Sequence, residues 1–267
     1  MTTDSPARSA LLEQLIPIAR HAGEIVMAVY ATDFAVHAKD DLSPVTAADE
    51  QAEASIVPAL RALLPGVPVV AEEGVARGQV PPVRRSFWLV DPLDGTKSFV
   101  RDTPFFSTQI ALMHRGRLVL GVSSACAYGE LAWAEEGGGA FLDGKPIRVS
   151  QTAGVADAIL STGNLKTLAG APQWANFGQL VRGVNRLRGY GDFVHYHLLA
   201  RGALDVVVES DVNILDVAAL AVIVREAGGR FTDLSGGELT LGTTTVLASN
   251  GRLHDAVGRA VGYGYPG

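Results

Sequence analysis

The chain has 267 residues, 48% of them hydrophobic, and a formal net charge of −6. That is enough apolar material for one large domain or two smaller ones packed together, and the acidic balance lacks the electrostatic footprint of a nucleic-acid binder. Its single cysteine, Cys126, excludes an intrachain disulfide. The N-terminus has no basic segment leading into an apolar one, and no stretch reaches the roughly 18 apolar residues of a membrane span, so the expectation is a soluble, cytoplasmic protein without a membrane partner.

From about Ser9 to Tyr30, apolar residues recur at the three-four spacing of an amphipathic helix, with Pro17 expected to kink or divide it. A second helix is expected from Thr46 to Leu64. Thr46 serves as its N-cap, with Asp49 and Glu50 in the first turn, and Pro58 lies inside it. Strand signals follow at 67–73, 87–91, 107–114, 117–125 and 130–136, then a Gly- and Asp-Gly-rich hairpin segment. Beyond it, short apolar strands alternate with helical stretches at 173–183, 193–202 and 215–228, the pattern of an α/β layer. A boundary near residue 147 therefore divides an α+β half, 1–147, from an α/β half, 148–267. Cys126 reads as a small buried residue, not a nucleophile. His195 and His197 are two apart on a helix, which suits surface or packing roles better than a metal pair.

The densest chemistry lies in Asp91-Pro-Leu-Asp94-Gly-Thr96, at the end of an apolar run. Two carboxylates at a strand end can converge on one point, and the amides of Gly95 and Thr96, if they open a helix, can receive an anion. The same stretch also reads as an Asx-type turn with solvated acids. A second apolar strand ends in Glu72 and Glu73. Two adjacent strands ending in acids repel each other unless a cation lies between them. An all-oxygen ligand set favours Mg²⁺, Mn²⁺ or Ca²⁺ over zinc.

With Ser43-Pro-Val-Thr-Ala-Ala-Asp49, Ala71-Glu-Glu-Gly74, the Asp91–Thr96 stretch, and Leu215-Asp216-Val-Ala-Ala followed by Glu226-Ala-Gly-Gly229, the sequence resembles the inositol monophosphatase superfamily over essentially its whole length. The resemblance implies a layered αβαβα sandwich and a homodimer. It also implies hydrolysis of a small phosphate monoester by metal-activated water, with two or three Mg²⁺ ions and Mn²⁺ as a substitute. It assigns Glu72, Asp91, Asp94, Asp216 and the Leu93 carbonyl as metal ligands, with Glu73 peripheral. Thr96 backed by Asp49, or else Glu72, would activate the water, and the Gly95 and Thr96 amides would hold the phosphate. Leu215 departs from the family's Trp at that position, which bears on the geometry of Asp216.

The segment Gly189–Gly202 most resembles histidinol-phosphate phosphatases, which would place the chain in histidine biosynthesis. Asp192 there and Glu209, where the family carries a carboxylate facing the leaving alcohol, would give two acids suited to a cationic leaving group. Asp192 also reads as a cap of the following helix. The alternatives are an inositol-1-monophosphatase, a 3′-phosphoadenosine 5′-phosphate nucleotidase, or a phosphate-binding module without turnover.

Overall fold

A computed structural model describes residues 9–38, 44–71 and 85–264. Helix α1 (Ala10–Tyr30) is capped by the Ser9 hydroxyl, which accepts from the Leu12 amide. Pro17 does not divide it. Pro17 and Glu13 both lie on the exposed face, where a carbonyl that lacks its helical donor is open to water. Two short strands, β1 (Val36–Ala38) and β2 (Pro44–Thr46), pair antiparallel. Helix α2 (Ala47–Leu63) starts at Thr46 in a capping box with Asp49 and also runs through its exposed proline, Pro58.

Strands β3 (Val69–Ala71), β4 (Ser86–Asp94), β5 (Ser107–His114), β6 (Arg117–Ala125), β7 (Glu130–Glu135), β8 (Gly139–Leu142) and β9 (Lys145–Ile147) form one seven-stranded sheet in chain order. Only the β3–β4 pair is parallel. A second sheet has the order β11-β10-β12-β14-β13. Its strands are β10 (Ile159–Thr162), β11 (Arg186–Arg188), β12 (Val206–Ser210), β13 (Arg230–Thr232) and β14 (Thr245–Ser249). The remaining α-helices among the described residues are α3 (Thr96–Val100), α4 (Lys166–Ala169), α5 (Trp174–Gly183), α6 (Asp192–Ala200), α7 (Ile214–Glu226) and α8 (His254–Val261).

Strand alternation assigns these elements to layers. On β4, Trp88 and Val90 join an apolar cluster with Leu15, Ala19, Val26 and Ile56 of α1 and α2, whereas Phe87 and Leu89 join a different one with α6 and α7. That second cluster continues through Val207, Val246 and Ala248 of the second sheet. The opposite face of this sheet, Leu160, Val206 and Val208, packs on Phe177 and Leu180 of α5 and Val257 and Val261 of α8. Five layers result in the order helices, sheet, helices, sheet, helices, the αβαβα sandwich. Among the described residues no helix is long and apolar enough to cross a membrane.

Helix α7 is apolar nearly all round because it is covered by sheets on both sides. It approaches β6 so closely that a Cβ on Gly121 would sit 2.5 Å from the Ala219 carbonyl oxygen. Gly121→Ala should therefore lower stability by roughly 1–3 kcal/mol, the range for overpacking a tight core. Urea denaturation reads the effect, and an unchanged midpoint would show that the sheet–helix contact yields freely.

Candidate active site

In a regular strand, residues three apart point to opposite faces. Pro92 has no amide hydrogen for the ladder, and the β4–β5 register shifts between Asp91 and Asp94. This irregularity turns both carboxylates to one side. Asp216 arrives from the first turn of α7, so that Asp91, Asp94 and Asp216 each offer one oxygen within 4.8 Å of the others. Each acid has another contact fixed by the protein. Asp91 Oδ1 accepts from the Leu93 amide at 3.0 Å, and Asp94 Oδ2 accepts from the Ser107 hydroxyl at 3.2 Å. Asp216 Oδ2 accepts from the Asn213 amide at 2.9 Å in a capping box. Leu215, next to Asp216, is buried in the central apolar cluster.

Burial raises the Asp94 carboxyl well above the usual carboxylate range, and repulsion from Asp216, Asp192 and Asp91 adds to it. Three buried or half-buried acids of like charge with only oxygen donors fit a hard divalent cation, which would relieve this repulsion.

Next to this cluster, Gly95 turns the chain at φ 85°, and a Cβ there would meet the Phe105 carbonyl oxygen at 2.3 Å. Helix α3 begins at Thr96. The Thr96 hydroxyl lies 2.9 Å from the Leu93 carbonyl oxygen and 3.2 Å from Asp49 Oδ1. Asp49 Oδ2 accepts from the amide and the hydroxyl of Thr46, both at 2.8 Å. The cap of α2 thus fixes the acid that stands behind Thr96. Glu72 and Glu73 lie outside the described residues.

On the other side of the acid cluster, one small cavity is lined by Asp94 and Asp216 together with Asp192, Glu209, Tyr196 and Asn164. Asp192 does not cap α6, whose N-cap is Gly191 with no side-chain cap bond. Instead Asp192 Oδ2 accepts from the Ser98 hydroxyl at 3.4 Å, and its φ of 45° is unusual for a residue with a side chain. Burial, reinforced by the Glu209 charge, pushes its carboxyl up to about 6.

Glu209 is held in the opposite sense. Burial alone would raise its carboxyl, but the attraction and hydrogen bond of His195, the Tyr196 hydroxyl and the Asn164 amide bring it below the ordinary range. The Tyr196 hydroxyl is 2.8 Å and His195 Nε2 3.1 Å from Glu209 Oε2, and the Asn164 amide is 3.1 Å from Oε1. A Cβ at Gly163 would lie 1.8 Å from Glu209 Oε1, so any side chain there would displace this carboxylate. His195 and His197 are both buried and hydrogen-bonded, so of the surface and packing roles expected for them the packing one applies. Packing of α6 against two layers buries both sides of the helix. Ser107, Tyr196 and Ser98 are partners that sequence spacing does not announce, because each meets its acid across elements or across β-strand register. Cys126 is half-buried, and burial pushes its thiol up to about 11, away from nucleophilic chemistry.

The sequence profile described as the Inositol monophosphatase family matches residues 7–262. A protein named histidinol-phosphatase from Mycobacterium tuberculosis is 42% identical over 232 residues, covering 85% of this chain and 88% of its own. Inositol monophosphatase 1 from Homo sapiens is 30% identical over 249 residues, covering 91% of this chain and 90% of its own. The crystal structure of the extragenic suppressor protein suhB from Bartonella henselae superposes with a TM-score of 0.83 at 30% identity, over 96% of this chain and 100% of that one. The chain belongs to the inositol monophosphatase family of phosphate-monoester hydrolases.

Proposed function

We propose that this enzyme is Mg²⁺-dependent and that its preferred substrate is the phosphate ester of a small cationic amino alcohol, with histidinol phosphate the best match. The observation that carries the reading is the pairing of Asp192 and Glu209 in one cavity with Asp94 and Asp216. The four acids would place two carboxylates on the phosphate side and two on the leaving-group side. A protonated amine and an imidazole on the leaving group satisfy acids that a neutral polyol leaves in mutual repulsion. The relative named histidinol-phosphatase, at 42% identity, supports the same choice.

Asp91, Asp94, Asp216 and the Leu93 carbonyl would hold the metal, with Glu72 and Glu73 as the further ligands expected from the sequence. When bound, Mg²⁺ neutralises the phosphate, lowers the pKa of the attacking water and stabilises the departing alkoxide. The Thr96 oxygen accepts a proton from that water and passes its own to Asp49 Oδ1, 3.2 Å away. Asp49 is kept ready as an acceptor by the two donors from Thr46 on its other oxygen. The amides of Gly95 and Thr96 orient the phosphate for in-line attack. Asp192 and Glu209 orient the leaving alcohol.

A second reading, inositol-1-phosphate as substrate, is favoured by one observation. Glu209 already takes three donors from the protein and has little capacity left for an ammonium group. Asp192→Ala separates the two. On the first reading it lowers kcat/KM for L-histidinol phosphate by about 10–100-fold, the worth of one hydrogen bond to a charged group, and spares inositol-1-phosphate. Equal losses on both substrates would remove Asp192 from substrate selection.

A further inference from the structure

A chain of buried polar side chains leads away from Asp94 into an otherwise apolar layer. Ser107 and Gln109 lie on β5, Ser123 on β6 and His197 on α6, and none is more than 2% exposed. Their neighbours on the same strand faces, Ala111, Met113 and Ala125, belong to the central apolar cluster. The β5–β6 register sets Gln109 directly opposite Ser123. Gln109 Nε2 is 2.8 Å from Ser107 Oγ and 3.0 Å from Ser123 Oγ. His197 Nε2 is 2.9 Å from Ser123 Oγ, and its Nδ1 is 3.2 Å from Glu130 Oε2.

Donor accounting gives this chain one direction. Glu130 is kept ionised, chiefly by its hydrogen bond from His197, so it can only accept, and Nδ1 of His197 donates to it. His197 Nε2 faces the Ser123 hydroxyl. Gln109 Nε2 carries only donors, so the Ser123 oxygen receives one of its N–H groups. The other N–H of the amide goes to Ser107, whose single proton is left for Asp94 Oδ2. The amide is oriented at a cost: Gln109 Oε1 is buried with no donor among the described residues. An apolar side chain of the same length would avoid that cost, and packing alone gives no reason for an amide here.

We propose that Gln109 is a positioning residue for the metal centre: anchored by Ser123 and His197, it holds the Ser107 hydroxyl on Asp94 and so fixes the oxygen that this acid presents to the cation. The inference rests on Asp94 being a metal ligand. Partners that orient a ligating carboxylate matter for affinity even though they never touch the ion.

The test is calorimetric titration of the full chain with MgCl₂ and with MnCl₂, alongside the thermal midpoint of the metal-free protein. Ser107→Ala should weaken metal binding by about tenfold or more. Gln109→Met should weaken it in the same direction and leave the metal-free midpoint unchanged or higher, because the unpaired oxygen is gone. A structural role moves the two readouts together, so metal affinity lost only in step with a lowered midpoint overturns the proposal. Asp94→Ala separates the two levels of inference. If it abolishes binding while Gln109→Met and Ser107→Ala bind as the wild type does, this proposal alone fails. If Asp94→Ala itself binds normally, the metal reading fails and takes the proposal with it.

Discussion

Asp91→Ala and Asp216→Ala should each reduce Mg²⁺-dependent phosphate release by about a thousandfold or more. Metal-ion charge stabilisation contributes several kcal/mol to such a transition state, and every 1.36 kcal/mol is a factor of ten. Both side chains belong to the cluster whose oxygens lie within 4.8 Å of one another, and they come from separate elements, β4 and α7. Losing either breaks the ligand set without breaking the fold. Removing one like charge also relieves the repulsion that raises Asp94, so metal-free Asp91→Ala should melt no lower than the wild type. Asp216 also closes the capping box of α7, and the melting curve of Asp216→Ala separates lost metal binding from a loosened helix. The rise in melting temperature that added Mg²⁺ gives the wild type should disappear. Near-wild-type turnover in either variant would contradict the assignment of this cluster as the metal site.

The second large effect belongs to the proton path. Thr96→Ala and Asp49→Asn should lower kcat by roughly 10²–10⁴-fold, the range for losing a positioned general base, with KM little changed. Thr96→Ser, which keeps the hydroxyl near Asp49 Oδ1 and Leu93 O, should recover most of the rate. If Thr96→Ala instead raises KM at constant kcat, the hydroxyl binds phosphate and does not move a proton. Asp49 also closes the capping box of α2, so melting curves of Asp49→Asn are needed to separate lost chemistry from a loosened helix.

The helices and most strands were legible because their signals are local. Thr46 caps where capping chemistry predicts, and the apolar run at 87–91 is a strand buried on both faces between the two apolar layers that β4 separates. Pro17 does not divide α1, because a single lost hydrogen bond on an exposed face is outweighed by the packing of the opposite face. Convergence of Asp91 and Asp94 was legible from Pro92, which interrupts the strand ladder. The partners of the acids were not legible. Ser107 reaches Asp94 through the β4–β5 register, and His195 reaches Glu209 only once α6 lies against β12. Such pairings depend on which strand lies beside which, and in the second sheet that order is not the chain order. One sequence signal for the Gln109 chain was present: an amide and two hydroxyls open a strand, Ser107-Thr-Gln109, that is otherwise apolar up to His114.

The measurement that bears most directly on the whole account is phosphate release by the wild-type enzyme with Mg²⁺ from L-histidinol phosphate, inositol-1-phosphate, 3′-phosphoadenosine 5′-phosphate and fructose-1,6-bisphosphate. The acid pair Asp192 and Glu209 beside the metal-site carboxylates predicts the highest kcat/KM for L-histidinol phosphate and turnover that vanishes on chelation. A clear preference for inositol-1-phosphate or for either of the other two esters would contradict the role given to that pair.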